Sequence, residues 1–272
     1  LRVSEVRDAL REAGIRPSRR RGQSFLLRDD LARRIADAAE GESILEVGPG
    51  LGALTRSLAD ASERLCCVEV SPALARRLRE SEGMEGVEVV CGDFLEADPA
   101  ALPGAPFDVL ASNLPYSIST PALLRLLEPP LSTVKKAVVM LQREVARRVT
   151  AGPGSGDYCR LTLALWPQFT ARRLLDAEPA DFYPQPAVRS RVLVLTRREE
   201  PEVPAGLARR FSWVVRVGFS SRRKTLLNNL SAVMDRKTAA DVLAGLGIDR
   251  KARAEELPPE AFVELAGEVA EP

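Results

Sequence analysis

A chain of 272 residues, 45% hydrophobic and 28% charged, has the composition of a globular protein with a buried core; no apolar run approaches the ~18 residues of a membrane-spanning helix. With 39 Lys and Arg against 38 Asp and Glu the net charge is +1, so bulk electrostatics announces no nucleic-acid partner. There is no His, which excludes a His-based triad or general base, and the 4 Cys form no C-x-x-C pair, which argues against a zinc site.

In chain order, residues 4–13 predict a short helix, followed by the basic loop RPSRRRGQ. LRDDLARRIADAAE predicts an amphipathic helix with Leu27 or Leu31, Ile35 and Ala38 on one face. SILEVGPGLGALTRSLAD reads as a strand over residues 43–47, a Gly-rich turn, and a helix from Ala53. RLCCVEV predicts a second strand ending at Glu69, and SPALARRLRE a helix with Ser71 as N-cap and Pro72 at the first helical position. VEVVCGDFLE predicts a third strand ending at Asp93, FDVLASNLPY a fourth, and residues 135–142 a fifth, with REVARRVTA a helix behind it. LTLALWPQF and SRVLVLTRR predict later strands. Cys66, Cys67 and Cys91 fall in strands and are expected as small core residues. The alternation of strand and helix implies an α/β fold with a doubly wound, Rossmann-like sheet. After Arg198 the charged, Pro-containing REEPEVP marks a linker, and from Leu207 the pattern is helical throughout. Residues 1–199 are therefore expected as the α/β domain and 200–272 as a small all-α domain. The N-terminal LRVSEVRDAL lacks a signal-peptide apolar core, and a cytoplasmic protein is expected.

EVGPGLGALT places Gly48, Gly50 and Gly52 between a strand and a helix. Glycines let the backbone turn tightly and approach a ligand, and the helix that follows offers its first N–H groups. The pattern fits a nicotinamide site, an S-adenosylmethionine site, or a tight turn with no ligand. Ligands in open α/β sheets sit outside the carboxyl ends of the strands. Glu69, at the second strand end, is placed for two ribose hydroxyls; Asp93, at the third, is placed for an adenine amino group. Val70 and Phe94 follow these acids and join the expected cofactor set with Gly48 and Gly50. An adenosine-type cofactor is the reading that unites them.

The fourth strand separates the two cofactors. It ends on Asn113, Leu114, Pro115 and Tyr116, and the chain has neither His nor a Tyr-x-x-x-Lys pair for hydride transfer. The exocyclic amine of adenine is a poor nucleophile because its lone pair is delocalised into the ring. Its proton becomes acidic once a methyl arrives, so orientation helps more than a strong base. The Asn113 side-chain oxygen and the Leu114 carbonyl can accept the two amine hydrogens. Pro115 fixes φ and removes a competing donor. Tyr116 supplies a ring on which a flipped base can stack. The bland alternative is an Asn-initiated turn beside a core tyrosine. Basic clusters at Arg19, Arg20 and Arg21 and at Arg222, Arg223 and Lys224 are expected phosphate contacts, against the alternative of solvated faces.

Taken together, GQSFLLRDD, EVGPGLGALT, NLPY, GDYCRLTL, FYPQPAVRSRVLVL and FSSRRKTLLNNL resemble, in order and over essentially the whole chain, the ribosomal RNA adenine N6-dimethyltransferase family, and within it the small-subunit (KsgA/RsmA) branch. The resemblance implies an S-adenosylmethionine-dependent methyltransferase that dimethylates two adjacent adenosines in the 3′-terminal hairpin of small-subunit ribosomal RNA. It implies immature small subunits as partner, no metal, a monomeric state, and a helical C-terminal domain that recognises RNA. It places Gln23, Ser24, Leu26, Gly48, Glu69, Asp93 and Asn113 around the cofactor. Asn113, Leu114 and Tyr116 hold the base, and Phe182 stacks on its other face, the alternative for Phe182 being core packing. Ser24 departs from the family's usual Asn, and Cys159 from its usual Gly. The competing readings are the sister branch that dimethylates a large-subunit adenosine, an RNA-binding assembly factor with little catalysis, and, more distantly, a nicotinamide oxidoreductase.

Overall fold

Val6 and Leu10, one helical turn apart, are the buried face of α1 (Val3–Glu12), whose start is held by the Arg2 N–H donating to the Glu5 carboxylate at 2.8 Å. The computed structural model describes residues 2–16 and 23–269. Next come the short strand β1 (Phe25–Leu26) and α2 (Asp29–Ala39), whose buried residues Leu31, Ala32, Ile35, Ala36 and Ala39 repeat at helical spacing. Then β2 (Gly41–Val47), α3 (Thr55–Asp60), β3 (Ser62–Glu69), α4 (Pro72–Arg79), β4 (Val87–Cys91), β5 (Val109–Asn113), α5 (Ser119–Arg125) and β6 (Lys136–Gln142) alternate as the periodicity predicts. Ser71 caps α4 as expected, its Oγ accepting from the Leu74 N–H at 3.5 Å, with Pro72 at the first helical position. The chain continues through α6 (Arg143–Val149), α7 (Arg160–Leu165), β7 (Phe169–Ala177), β8 (Phe182–Tyr183) and β9 (Ser190–Arg197). It ends in four helices: α8 (Ala208–Gly218), α9 (Leu226–Leu230), α10 (Arg236–Gly245) and α11 (Pro259–Glu268).

Seven strands form one sheet in the order β4-β3-β2-β5-β6-β9-β7. β4 through β6 pair in parallel, and β9 runs antiparallel to β6. The central strands are near-continuous apolar runs, with Ile44, Leu45, Ala111, Val138 and Val139 at 0% exposure, as a sheet covered on both faces requires. The chain steps outward from β2 to β3 and β4, then returns to β5 on the other side of β2. That reversal opens a crevice at the carboxyl ends of β2 and β5. A separate antiparallel ribbon pairs β1 with β8, Phe25 opposite Tyr183 and Leu26 opposite Phe182.

The chain divides into two compact units, Leu1–Ala146 with Thr170–Arg197, and Arg147–Phe169 with Arg198–Pro272. This differs from the expected split into 1–199 and 200–272. Residues 147–169 belong with the C-terminal helices because their apolar side chains pack there: Tyr158 and Leu163 join Phe211, Leu226, Phe262 and Leu265 in one buried cluster. LTLALW, expected as a strand, is the helix α7. The Cys159 N–H donates to Thr162 Oγ1 at 3.2 Å, which starts the helix, and Leu161, Leu163 and Leu165 are all buried. The strand begins only at Phe169. The third predicted strand ends at Cys91, two residues before Asp93. Cys91 is exposed on this edge strand and is no core residue, whereas Cys66 and Cys67 are buried. Among the described residues no helix is long and apolar enough to cross a membrane.

Candidate active site

The turns leaving β2, β3, β4 and β5 enclose a cavity of about 640 Å³ whose wall includes Gln23, Ser24 and Leu26 from the N-terminal segment. That volume suits a small-molecule site. Gly48 and Gly50 have φ of +68° and +60°, the left-handed region that side chains with a Cβ seldom adopt. A Cβ on Gly48 would lie 3.0 Å from Pro115 Cγ, and one on Gly50 3.0 Å from Phe25 Cε1. The glycine turn is thus pressed between the end of β5 and the β1 strand, which leaves it no room for side chains.

Glu69 ends β3 at 4% exposure. Its Oε2 accepts the Gly50 N–H at 3.1 Å and its Oε1 accepts the Ser71 N–H at 2.9 Å. Burial raises its pKa above the ordinary carboxylate value, and these N–H donors oppose the rise. Each oxygen retains a lone pair for a hydroxyl donor. Val70 follows as an exposed apolar side chain on the cavity wall. Asp93 sits in the turn after β4, its Oδ1 accepting the Leu95 N–H at 2.8 Å. Phe94 is buried, with the Arg125 guanidinium 5.2 Å from its ring centroid. Arg125 also donates to the Phe94 carbonyl and, at 3.0 Å, to the Ala97 carbonyl, fixing the turn.

Asn113 closes β5, where Ser112 Oγ donates to the Val47 carbonyl and locks β5 to β2. The Asn113 Nδ2 donates to the Ser24 carbonyl at 3.1 Å, which leaves Oδ1 as the acceptor of the amide. The bond uses the Ser24 backbone, so the side chain that departs from the family's usual Asn does not affect it. Leu114 is buried and its N–H donates to the Met140 carbonyl at 3.2 Å. Tyr116 lines the cavity, and its hydroxyl lies 2.6 Å from the Oγ of fully buried Ser190 on β9. Burial raises the Tyr116 pKa, opposed by that hydrogen bond.

Two findings depart from the sequence reading. Phe182, expected to stack on the base, is 1% exposed and packs with Leu26, Ile35, Met140 and Val192 in the core; it is absent from the cavity wall. The period-two geometry of β8 points Phe182 inward and its neighbour Tyr183 to the opposite face. Conversely, Glu46 lines the cavity and was not singled out. It is 2% exposed, burial pushes its pKa up to about 7, and Cys67 Sγ donates to its Oε2 at 3.3 Å. The available signal was an acid inside the apolar run SILEV. Cys159, at φ −160°, is in extended backbone that any residue adopts, so the position has no need of glycine.

Of the expected phosphate contacts, Arg19, Arg20 and Arg21 lie outside the described residues. Arg222 donates to the Gly156 carbonyl at 2.7 Å and pairs with Glu255 at 3.5 Å. Arg223 and Lys224 are exposed. Among the described residues no group of three or more His, Cys, Asp or Glu is placed to hold a metal ion.

A parallel sheet carrying one antiparallel strand, a glycine turn after its first central strand, a buried acid at the end of the next and an Asn-Leu-Pro-Tyr turn across the crevice define an S-adenosylmethionine-dependent α/β methyltransferase. The chain belongs to the ribosomal RNA adenine dimethylase family, whose model matches residues 16–271. The ribosomal RNA small subunit methyltransferase A of Myxococcus xanthus is 40% identical over 269 residues, covering 97% of this chain and 94% of that one. A dimethyladenosine transferase from Plasmodium falciparum superposes with a TM-score of 0.74 at 25% identity, covering 89% of this chain and 95% of the other. The 23S rRNA methyltransferase ErmE superposes with a TM-score of 0.70 at 32% identity, covering 90% and 98%.

Proposed function

We propose that the protein transfers methyl groups from S-adenosylmethionine to the N6 amine of adenine in small-subunit ribosomal RNA, two methyls to each of two adjacent adenosines in the 3′-terminal hairpin. It acts in the cytoplasm, as a monomer, on the immature small subunit. The observation that carries this reading is the Asn113–Tyr116 turn, with the Asn113 amide held one way round on the wall of the cavity that the glycine turn and Glu69 also line.

Glu69 and the glycine turn are suited to the ribose and amino-acid portions of the cofactor, and Val70, Asp93 and Phe94 to its adenine. When bound, S-adenosylmethionine supplies a methyl already activated on a sulfonium, so the chain's own residues need only orient the acceptor. Asn113 Oδ1 and the Leu114 carbonyl accept the two hydrogens of the adenine amine, drawing its nitrogen toward tetrahedral geometry and aiming the lone pair. Tyr116, tethered to Ser190, offers its ring to the flipped base. After the first methyl one amine hydrogen remains, so one of the two acceptors goes unused in the second round. Arg19, Arg20 and Arg21, with Arg223 and Lys224, are assigned to RNA phosphates; Arg222 is partly committed to Glu255.

The test is methyl transfer from labelled S-adenosylmethionine to unmodified small and large ribosomal subunits, followed by nucleoside mass analysis of each RNA. N6-dimethyladenosine in the small subunit alone is the expected result. Label confined to the large subunit would move the protein to the activity named for ErmE.

A further inference from the structure

The β1–β8 ribbon carries two aromatic rings on one face. Phe25 lines the cofactor cavity, and its register partner Tyr183 lines a separate cavity of about 590 Å³ against α1. Arg7, Arg11 and Arg16 also line this second cavity, with Asp8 as its one acid, so its four charged side chains leave a net charge of +2 in a chain that totals +1. Arg7 and Arg16 are exposed, and their side chains make no ion pair or hydrogen bond among the described residues. Arg11 pairs with Asp8 at 3.1 Å, but both are largely exposed (81% and 59%), and such a pair is readily exchanged for a phosphate. Tyr183 is half-buried, its ring supported by the cluster of Val6, Leu10, Phe25 and Leu74.

Three cations around a supported aromatic ring form the pattern that tracks single-stranded nucleic acid, in which phosphates meet the arginines and a base stacks on the ring. We propose that this cavity holds a single-stranded stretch of the substrate RNA beside the target adenosine, with a base on Tyr183 and phosphates on Arg7, Arg11 and Arg16. The proposal rests on the RNA-methyltransferase reading above. Phe25 and Tyr183 stand side by side on one face of the ribbon, Phe25 against Gly50 of the cofactor turn and Tyr183 at the second cavity.

The experiment compares the wild type, an R7Q/R11Q/R16Q variant, Y183A and Y183F. It measures steady-state methylation of unmethylated small subunits and anisotropy of a fluorescent single-stranded oligoribonucleotide at several salt concentrations. The triple variant is expected to raise KM for subunits by about tenfold or more with kcat within about twofold, leave S-adenosylmethionine affinity unchanged, and flatten the log–log salt dependence of RNA binding by about 2. Y183A is expected to weaken RNA binding severalfold, and Y183F to restore it because the ring suffices. Wild-type salt slope and affinity in the triple variant would overturn the proposal. So would loss of subunit binding with oligoribonucleotide binding intact, which would assign the face to a ribosomal protein. Should the wild type methylate no RNA, the functional reading fails, and the oligoribonucleotide arm still decides whether the cavity binds single strands.

Discussion

One Nδ2 hydrogen donated to the Ser24 carbonyl fixes which way round the Asn113 amide sits, leaving Oδ1 as its acceptor, and an acceptor is what an amine requires. Asn113→Ala is expected to lower kcat by roughly 10²–10³, the scale of losing one aligned polar contact to a reacting group. S-adenosylmethionine affinity, read by calorimetry, should fall by a much smaller factor, since Asn113 also lines the cofactor cavity and holds the Ser24 backbone. The Tyr116–Ser190 bond makes a subtler prediction: Ser190→Ala leaves the hydroxyl of Tyr116 short of a partner and costs about 1 kcal/mol of stability, with a few-fold lower kcat that Ser190→Thr restores. Glu46 contributes to the pH dependence of stability. Its carboxyl holds a proton up to about pH 7 in the folded protein, whereas the unfolded chain releases it near 4.5. A raised folded pKa gives stability that is fully present below pH 4.5 and is lost as pH climbs through 7. Glu46→Gln should therefore gain on the wild type progressively across that window, by at most about 3 kcal/mol. Urea unfolding of the ligand-free proteins from pH 4.5 to 8 reads the difference, and a constant gap would show that Glu46 does not titrate there.

Among the elements, legibility follows how much local pattern decides. The apolar runs of β2, β5 and β6 and the Ser71-Pro72 helix start are readable because burial on both faces and capping chemistry leave direct marks in the sequence. The glycine turn and the Asn113–Tyr116 turn are legible for the same reason, as few backbones need those residues. LTLALW is not, because Leu161, Leu163 and Leu165 alternate like a strand, while tertiary packing buries them all on a helix. Phe182 fails for a different reason. Its motif marks a ring, but only the pairing of β8 with β1 decides which face that ring takes. Since Phe182 sits in the core, Phe182→Ala should cost about 3–5 kcal/mol of stability by cavity formation. Any loss of activity should follow the unfolded fraction in a thermal melt. A folded Phe182→Ala protein that binds cofactor yet fails to methylate would return the ring to the substrate.

For the whole molecule, the composition shift at the Pro-containing linker locates one crossing between units but hides the other, because residues 147–169 carry no such shift. Their membership is set by long-range packing. Tyr158 has 0% exposure and stands 6.0 Å, edge-on, from Phe219, which in turn stacks on Phe262 at 5.8 Å. Trp166 stacks on Phe211 at 6.4 Å. A chain cut at residue 199 would keep Tyr158, Leu163 and Trp166 but lose every one of these ring partners along with α8 to α11. Its apolar surface would grow by several large side chains, each worth about 1.5–3 kcal/mol when buried. The fragment 1–199 is therefore expected to bind a hydrophobic dye strongly, aggregate at micromolar concentration and melt without a sharp transition, whereas the full chain does none of these. Replacing residues 147–169 in that fragment with a short polar linker from Ala146 to Thr170 should restore solubility and a cooperative melt. A fragment 1–199 as soluble and cooperative as the full chain would place residues 147–169 with the α/β unit.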